Sequence, residues 1–412
     1  MRISEHNRWG VVLGALLIQL CLGAIYAWSV FTPALTAAGW SRGETQMVFA
    51  AGLASFAVVM VLAGRLMPVF GPRLLTWAGG AVLGGGYFLG GAVAPLSFWP
   101  VLLFVGVVGG SGIGLAYVVP IAVGVRWFPD QKGMITGLAV AGFGFGAMLW
   151  VKLAGTWGGL LASIGLGRTF MLYGLIFFIA VLIGGIWMRF PSAGPAAQGA
   201  EEPSATGDLD SGRMLRTPQF YLIFATFMCG SSAGLMCIGL MKLFPLEALG
   251  ANGIAPAEAS AIAGTAMAVF FSVAHGLGRI LWGTISDYIG RRLALVLMTA
   301  MQGCAVILFQ WMACTPGLLY LGAAVIGFNF GGNFSLFPTI TADCFGTKFL
   351  AQNYGWVFLS YGFGGILGPI IGGRLGDQGN FPLAFTLCGV LCLAAAVVAA
   401  FIRPYNRKPC RQ

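Results

Sequence analysis

Two side chains one helical turn apart carry most of the chemistry that this chain could perform. Arg279 lies inside the apolar stretch TAMAVFFSVAHGLGRILWG, and His275 precedes it by four residues, so on a helix the two share a face. A guanidinium in hydrocarbon costs about 3 kcal/mol even on lenient insertion scales, so it is expected to face an internal cavity and to need a counter-anion. All twelve Asp and Glu map to loops or to the edges of apolar segments, so the missing negative charge is expected from a ligand. A planar guanidinium can grip a carboxylate with two parallel hydrogen bonds, which a lysine cannot reproduce. These residues therefore suggest a carrier for a small carboxylate anion, with His275 either taking up a proton with that anion or serving as a neutral bond between helices.

The elements that must position this pair follow from composition. Hydrophobic residues make up 58% of the chain and charged residues 8%, with a mean hydropathy of +0.89. A soluble domain carries roughly 25% charged residues, so the chain is expected to be an integral membrane protein. Twelve apolar segments can be placed at about 9–31, 45–67, 74–94, 98–124, 133–156, 168–189, 219–243, 257–283, 293–313, 317–342, 351–373 and 381–402. Strand-type alternation is absent, which leaves helices as the spanning element and an all-α membrane protein of twelve transmembrane helices as the fold class. The 65 glycines indicate closely packed helices. The only long polar stretch, rich in Pro, Gly, Ala and Ser, reads as a cytoplasmic linker at 191–217 between halves at 1–190 and 218–402, followed by a tail at 403–412.

Loop charges orient the chain. With both termini cytoplasmic, sixteen of the 22 Lys and Arg fall on that side, while Arg42, Lys152, Arg168, Lys242 and Arg374 fall outside. The net charge of +10 then follows from topology and does not imply nucleic acid as a partner. The nine cysteines show no ligand-like spacing, and neither a metal nor another cofactor is expected. Glycine-rich runs such as GVVGGSGIGLAY lie inside apolar spans with no preceding strand, so a phosphate-binding loop is not indicated, and no nucleophile and base pair suggests an enzyme. Lys152 either snorkels to the outer interface or draws anions toward it.

The halves repeat. GRLMPVFGPRL from Gly64 and GTISDYIGRRL from Gly283 share two glycines and an arginine at an offset of 219, and GLAVAGFGFGAMLW from Gly137 and GWVFLSYGFGGILG from Gly355 share a GFG core at 218. Such pseudo-symmetric six-helix halves are the pattern of carriers that bind substrate at the interface between repeats.

GTISDYIGRR resembles the loop signature of the major facilitator superfamily. Within it, GAIYAWSVF, RWFPDQKGMITGLAVAGFGFG, GRILWGTISDYIGRR, FNFGGNFSLFPT and NYGWVFLSYGFGG are similar to the oxalate/formate antiporter group, its lactate- and pyruvate-carrying relatives and the animal monocarboxylate transporters. The resemblance implies a transporter of the plasma (inner) membrane, working as a monomer in the lipid bilayer by alternating access, with a proton or counter-anion as the coupled species. It implies that Arg279 binds the substrate carboxylate and that Asp287, with Arg291 and Arg292, latches the cytoplasmic side; the first repeat has Pro68 at the aspartate position. It also implies that Tyr26, Tyr117, Phe143, Phe330, Phe334, Phe358 and Tyr361 surround the substrate. Tyr361 stands where the oxalate carrier of this group has a second cation, a lysine, which favours a monocarboxylate such as lactate, pyruvate or formate over divalent oxalate. His275 stands where the animal transporters have an aspartate tied to proton coupling. Asn329 and Asn333, one turn apart, either bond the substrate or bridge helices. An oxalate/formate-type exchanger, a drug exporter and a non-transporting sensor are the alternatives.

Overall fold

The computed structural model describes residues 8–93, 97–155, 157–191, 208–241 and 243–403. Within the expected linker, residues 192–207 lie outside the described residues, as does the tail from 404. Every regular element among the described residues is helical. Large apolar side chains such as Leu62, Phe178, Leu297 and Phe363 are exposed, and each helix satisfies its own backbone hydrogen bonds, the condition for crossing hydrocarbon.

Eleven described helices are long and apolar enough to span a bilayer. They are Arg8–Trp28, Met47–Ala92, Phe98–Trp127, Pro129–Ala154, Gly165–Gly185, Pro218–Leu240, Pro256–Ile289, Arg291–Met312, Pro316–Phe345, Leu350–Gly376 and Phe381–Ala399. Met47–Ala92 accounts for two spans, because Gly71 has φ 76° and ψ 161° and breaks the helix between Pro68 and Pro72. The sequence places a loop between the second and third spans; the chain instead turns through this single left-handed residue, which only glycine adopts without strain. Counting the break, there are twelve spans, numbered below in chain order.

The chain forms two compact units, one of residues Met1–Pro129 and Leu138–Glu201, the other of Asp130–Gly137 and Glu202–Gln412. In the first unit, a capping box starts the helix of the second span, with Glu44 N–H donating to Ser41 Oγ at 3.1 Å and Ser41 N–H to Glu44 Oε2 at 2.7 Å. Gly84 of the third span and Gly174 of the sixth face each other so closely that a Cβ on either would meet the other's carbonyl. Indole and phenol donors tie helices to neighbouring carbonyls: Trp150 Nε1 to Leu20 O at 2.7 Å, Tyr173 Oη to Trp150 O at 2.6 Å and Trp77 Nε1 to Leu182 O at 3.0 Å.

The second unit repeats these devices. Gly290, 219 residues after Gly71, takes φ 89° between the eighth and ninth spans, and Gly303, 219 after Gly84, faces Gly389 of the twelfth span so closely that a Cβ on either would meet the other's carbonyl. The duplication read from the sequence therefore extends to backbone conformation and helix contact. Residues Asp208–Thr217 pack at one end of the unit, with Leu209 N–H donating to Phe345 O at 2.9 Å, Asn353 Nδ2 to Leu209 O at 2.9 Å, and Leu209 and Met214 buried.

Candidate functional site

The eighth span contains a π turn, Ala266–Phe271, followed by the α-helix Ser272–Ile289 that carries His275 and Arg279. Ser272 Oγ donates to Met267 O, five residues back, at 3.0 Å. Such turns insert an extra residue into a helix and recur at functional sites. Against this helix lies the tenth span, Pro316–Phe345, backbone to backbone at its glycines: a Cβ on Gly278 would strike Phe328 O, and one on Gly331 would strike His275 O. Backbone carbonyls cannot yield as a flexible side chain can. Gly331→Ala is therefore expected to cost about 1–3 kcal/mol and to displace the backbone of His275 and Arg279. Heating in detergent, followed by size-exclusion chromatography, should show unfolding several degrees lower than in wild type.

Arg279 is fully buried. Its guanidinium carbon lies 4.2 Å from the centroid of the Phe334 ring, and its Nη2 is 3.2 Å from His275 Nε2. A guanidinium only donates, so His275 Nε2 accepts, which leaves the imidazole proton on Nδ1. The imidazole stacks on Phe330 at 5.3 Å and on Phe271 at 5.7 Å. Phe334 meets Tyr361 edge to face at 5.4 Å, and Tyr361 stacks on Phe358 at 5.1 Å. Phe227 of the seventh span stacks on Phe337 at 4.1 Å and reaches Phe358 and Tyr361. One charged fork thus stands against an aromatic wall, an arrangement that strengthens electrostatic contacts by excluding water.

The two asparagines differ. Asn329 Oδ1 accepts from Trp282 Nε1 at 3.1 Å, bridging the eighth and tenth spans, while its Nδ2 returns to Val325 O at 3.0 Å. Asn333 Nδ2 donates to Phe330 O at 3.1 Å within its own helix, and its Oδ1 faces Gly230 of the seventh span. Trp282, Phe227 and Phe271 were not singled out from the sequence, because an aromatic residue in a chain so rich in them carries no local signal.

In the first unit, Tyr26, Tyr117 and Phe143 form a cluster of their own. Phe143 meets Tyr26 at 5.2 Å and Tyr117 at 5.5 Å, both edge to face, and Phe56 packs on Tyr117 at 5.0 Å. Gln19 Nε2 holds Tyr117 O at 3.1 Å.

A charged network occupies the end of the second unit near Gly290. Asp287 accepts the N–H groups of Gly133 and Met134 at 3.0 and 2.7 Å, at the start of the fifth span, and pairs with Arg291 Nη2 at 2.5 Å. Arg291 Nε also meets Asp343 Oδ2 at 3.2 Å, and Lys132 Nζ meets Asp343 Oδ1 at 2.9 Å. A carboxylate on the first N–H groups of a helix is stabilised by the helix dipole. Arg292 is exposed and stands outside these bonds. Asp343 and Lys132 complete the network, and their pairing across 211 positions had no sequence signal.

Comparison with known proteins agrees with this architecture. The profile of the Major Facilitator Superfamily matches residues 12–271 and 243–410. The chain is 28% identical to the oxalate:formate antiporter of Oxalobacter formigenes, over 98% of this chain and 94% of that one. It is 25% identical to apicoplast pyruvate carrier 1 of Toxoplasma gondii, over 97% and 90%. The crystal structure of the Escherichia coli fucose:proton symporter superposes with a TM-score of 0.71 at 14% identity, covering 97% of this chain and 100% of that one. With twelve spans, duplicated glycine breaks and a profile that runs through both repeats, this multi-pass membrane protein belongs to the Major Facilitator Superfamily and is a transporter.

Proposed function

We propose that this protein carries a small monocarboxylate of the lactate, pyruvate or formate kind, coupled to a proton, by alternating access. The observation that carries the reading is the fully buried Arg279, held over Phe334 and bonded to His275 within an aromatic wall. Arg279 binds the carboxylate. Phe330, Phe334, Phe358 and Tyr361 enclose it, Tyr26, Tyr117 and Phe143 serve as further contacts, and Asn329 and Asn333 hold the tenth span in position. Tyr361, buried and packed on two phenylalanines, supports a monovalent anion, because it supplies no second positive charge. Protonation of His275 at Nε2 breaks its bond to Arg279, and an anion on the guanidinium offsets the two like charges, so the two binding events are linked.

Asp287 and Arg291 act as the cytoplasmic latch, with Asp343 and Lys132 added to it. The halves are 1–190 and 218–402, the termini are cytoplasmic, the location is the plasma membrane and the working form is a monomer. A second reading, exchange of oxalate against formate, is favoured by the similarity to the Oxalobacter antiporter along almost the whole chain.

Counterflow uptake of labelled L-lactate, pyruvate, formate and oxalate in proteoliposomes, with and without an inward proton gradient, separates the two. Gradient-driven accumulation of a monocarboxylate is expected, and it should become gradient-independent in His275→Gln. Trans-stimulated oxalate exchange without gradient dependence supports the second reading instead.

A further inference from the structure

Residues Asp130–Gly137, which lead into and open the fifth span, belong to the second unit and lie along the eighth span. The contact has three levels. A Cβ on Gly137 would strike the carbonyl of Arg279 and lie 3.0 Å from Ile280 Cα. One turn on, a Cβ on Gly133 would strike Gly283 O, and one on Gly283 would strike Gly133 O. At the last level Asp287 accepts the N–H groups of Gly133 and Met134. Arg279, Gly283 and Asp287 follow one another at intervals of four residues, so they share one face of the eighth span over about 12 Å.

The peptide of Arg279 is therefore walled on two sides. Gly137 abuts its carbonyl, and a Cβ on Gly331 of the tenth span would lie 3.2 Å from its nitrogen. Where these walls fix the peptide decides how the guanidinium stands over Phe334 and beside His275. The other end of the same stretch is held by charge. The first N–H groups of a helix have no acceptor within it, so protection of Gly133 and Met134 depends on the Asp287 carboxylate. Arg291 Nη1 donates to Ser286 Oγ at 2.5 Å and Ser286 Oγ to Gly283 O at 2.6 Å, which braces the middle level. One helical turn separates Gly133 from Gly137, and a turn moves as a body, so release of Gly133 by Asp287 also withdraws Gly137 from Arg279.

We infer that Gly137 is a positioning residue for anion binding and that the stretch it ends ties Arg279 to the latch. With Asp287 engaged, Arg279 is walled on both sides and presents its guanidinium over Phe334; with Asp287 released, one wall is lost and the grip on the anion weakens. Such coupling is reciprocal, so an anion on Arg279 tightens the hold of Asp287 on Gly133 and Met134. This role rests on the reading that Arg279 binds the carboxylate, and adds to it the residue that links that site to the latch.

The test is hydrogen exchange of the full-length protein, read by mass spectrometry on peptides covering Gly133 and Met134, with and without saturating L-lactate, pyruvate, formate or oxalate. Equilibrium affinity for each acid is measured beside it. The acid that binds is expected to slow exchange at these two amides at least about fivefold. Gly137→Ala should lower the affinity for that acid about tenfold and abolish the slowing. Gly303→Ala loosens a different glycine contact of the same unit, so it should raise exchange generally yet keep the anion response, as Gly137→Ala would if its role were structural alone. Asp287→Asn leaves Gly137 in place but frees the stretch, and should weaken binding about as far even if Gly137→Ala fails to fold. Unchanged or faster exchange on binding, a response retained in Gly137→Ala, or unaltered affinity in Asp287→Asn overturns the inference while the carboxylate site stands. Binding by none of the four acids, or binding undiminished in Arg279→Gln, overturns that site and the inference with it.

Discussion

Proteoliposomes containing Arg279→Gln should take up labelled monocarboxylate at least about thirtyfold more slowly than wild type. Losing one partner of a desolvated charge pair costs about 2–5 kcal/mol, and Arg279 is fully buried, so water cannot replace it. Glutamine keeps a hydrogen-bond donor and much of the length but no charge, so the loss reports the electrostatic contribution. Arg279→Lys restores the charge without the fork or the flat face that lies over Phe334, and is expected to recover only a small part of the rate. Phe334→Leu keeps the cation and removes the ring beneath it; a desolvated cation–π contact of about 2 kcal/mol predicts a loss of roughly thirtyfold. Initial rates across the three variants check the ordering. Near-wild-type uptake by Arg279→Gln would assign the arginine to structure and place the substrate elsewhere.

Asp287→Asn should also have a large effect, read by hydrogen exchange. Its carboxylate holds the Gly133 and Met134 amides and the Arg291 guanidinium while only 11% exposed. Removing one partner of a largely buried pair leaves the other uncompensated, at a cost of about 3–5 kcal/mol. Exchange at Gly133 and Met134 is then expected to rise by at least about a hundredfold, with slower transport. Asp343→Asn should be milder, because Asp343 is 28% exposed and water can take over its contacts to Lys132 and Arg291. Unchanged exchange in Asp287→Asn would show that the start of the fifth span is held by packing alone.

What the sequence reveals here depends on whether the responsible force is local. The spans are visible because lipid demands a long uninterrupted apolar run, and Arg279 is visible because it interrupts one. The aspartate and arginines of GTISDYIGRR lie within six consecutive residues and can be read as a group. That Arg291 engages Asp343 while Arg292 stays exposed depends on the rotation of two helices 52 positions apart, which no short pattern encodes. The sequence shows an interruption between the second and third apolar segments, but its shape, one residue and not a loop, is set by the backbone angle of Gly71. Trp282 to Asn329 is likewise invisible, since an indole in an apolar segment reads as packing until its donor is seen to meet an amide.

The glycine positions where the eighth and tenth spans meet also determine where evolution or a protein engineer can work. Gly278, Gly327 and Gly331 each abut a carbonyl of the opposite helix, so almost any replacement is purged for its effect on folding before selection can act on the cargo. Phe330 and Phe334, on the neighbouring face of the same helix, meet other rings, with Phe330 also seated on Gly234 of the seventh span. A library meant to retune which acid is carried should therefore hold the glycines fixed and vary the phenylalanines.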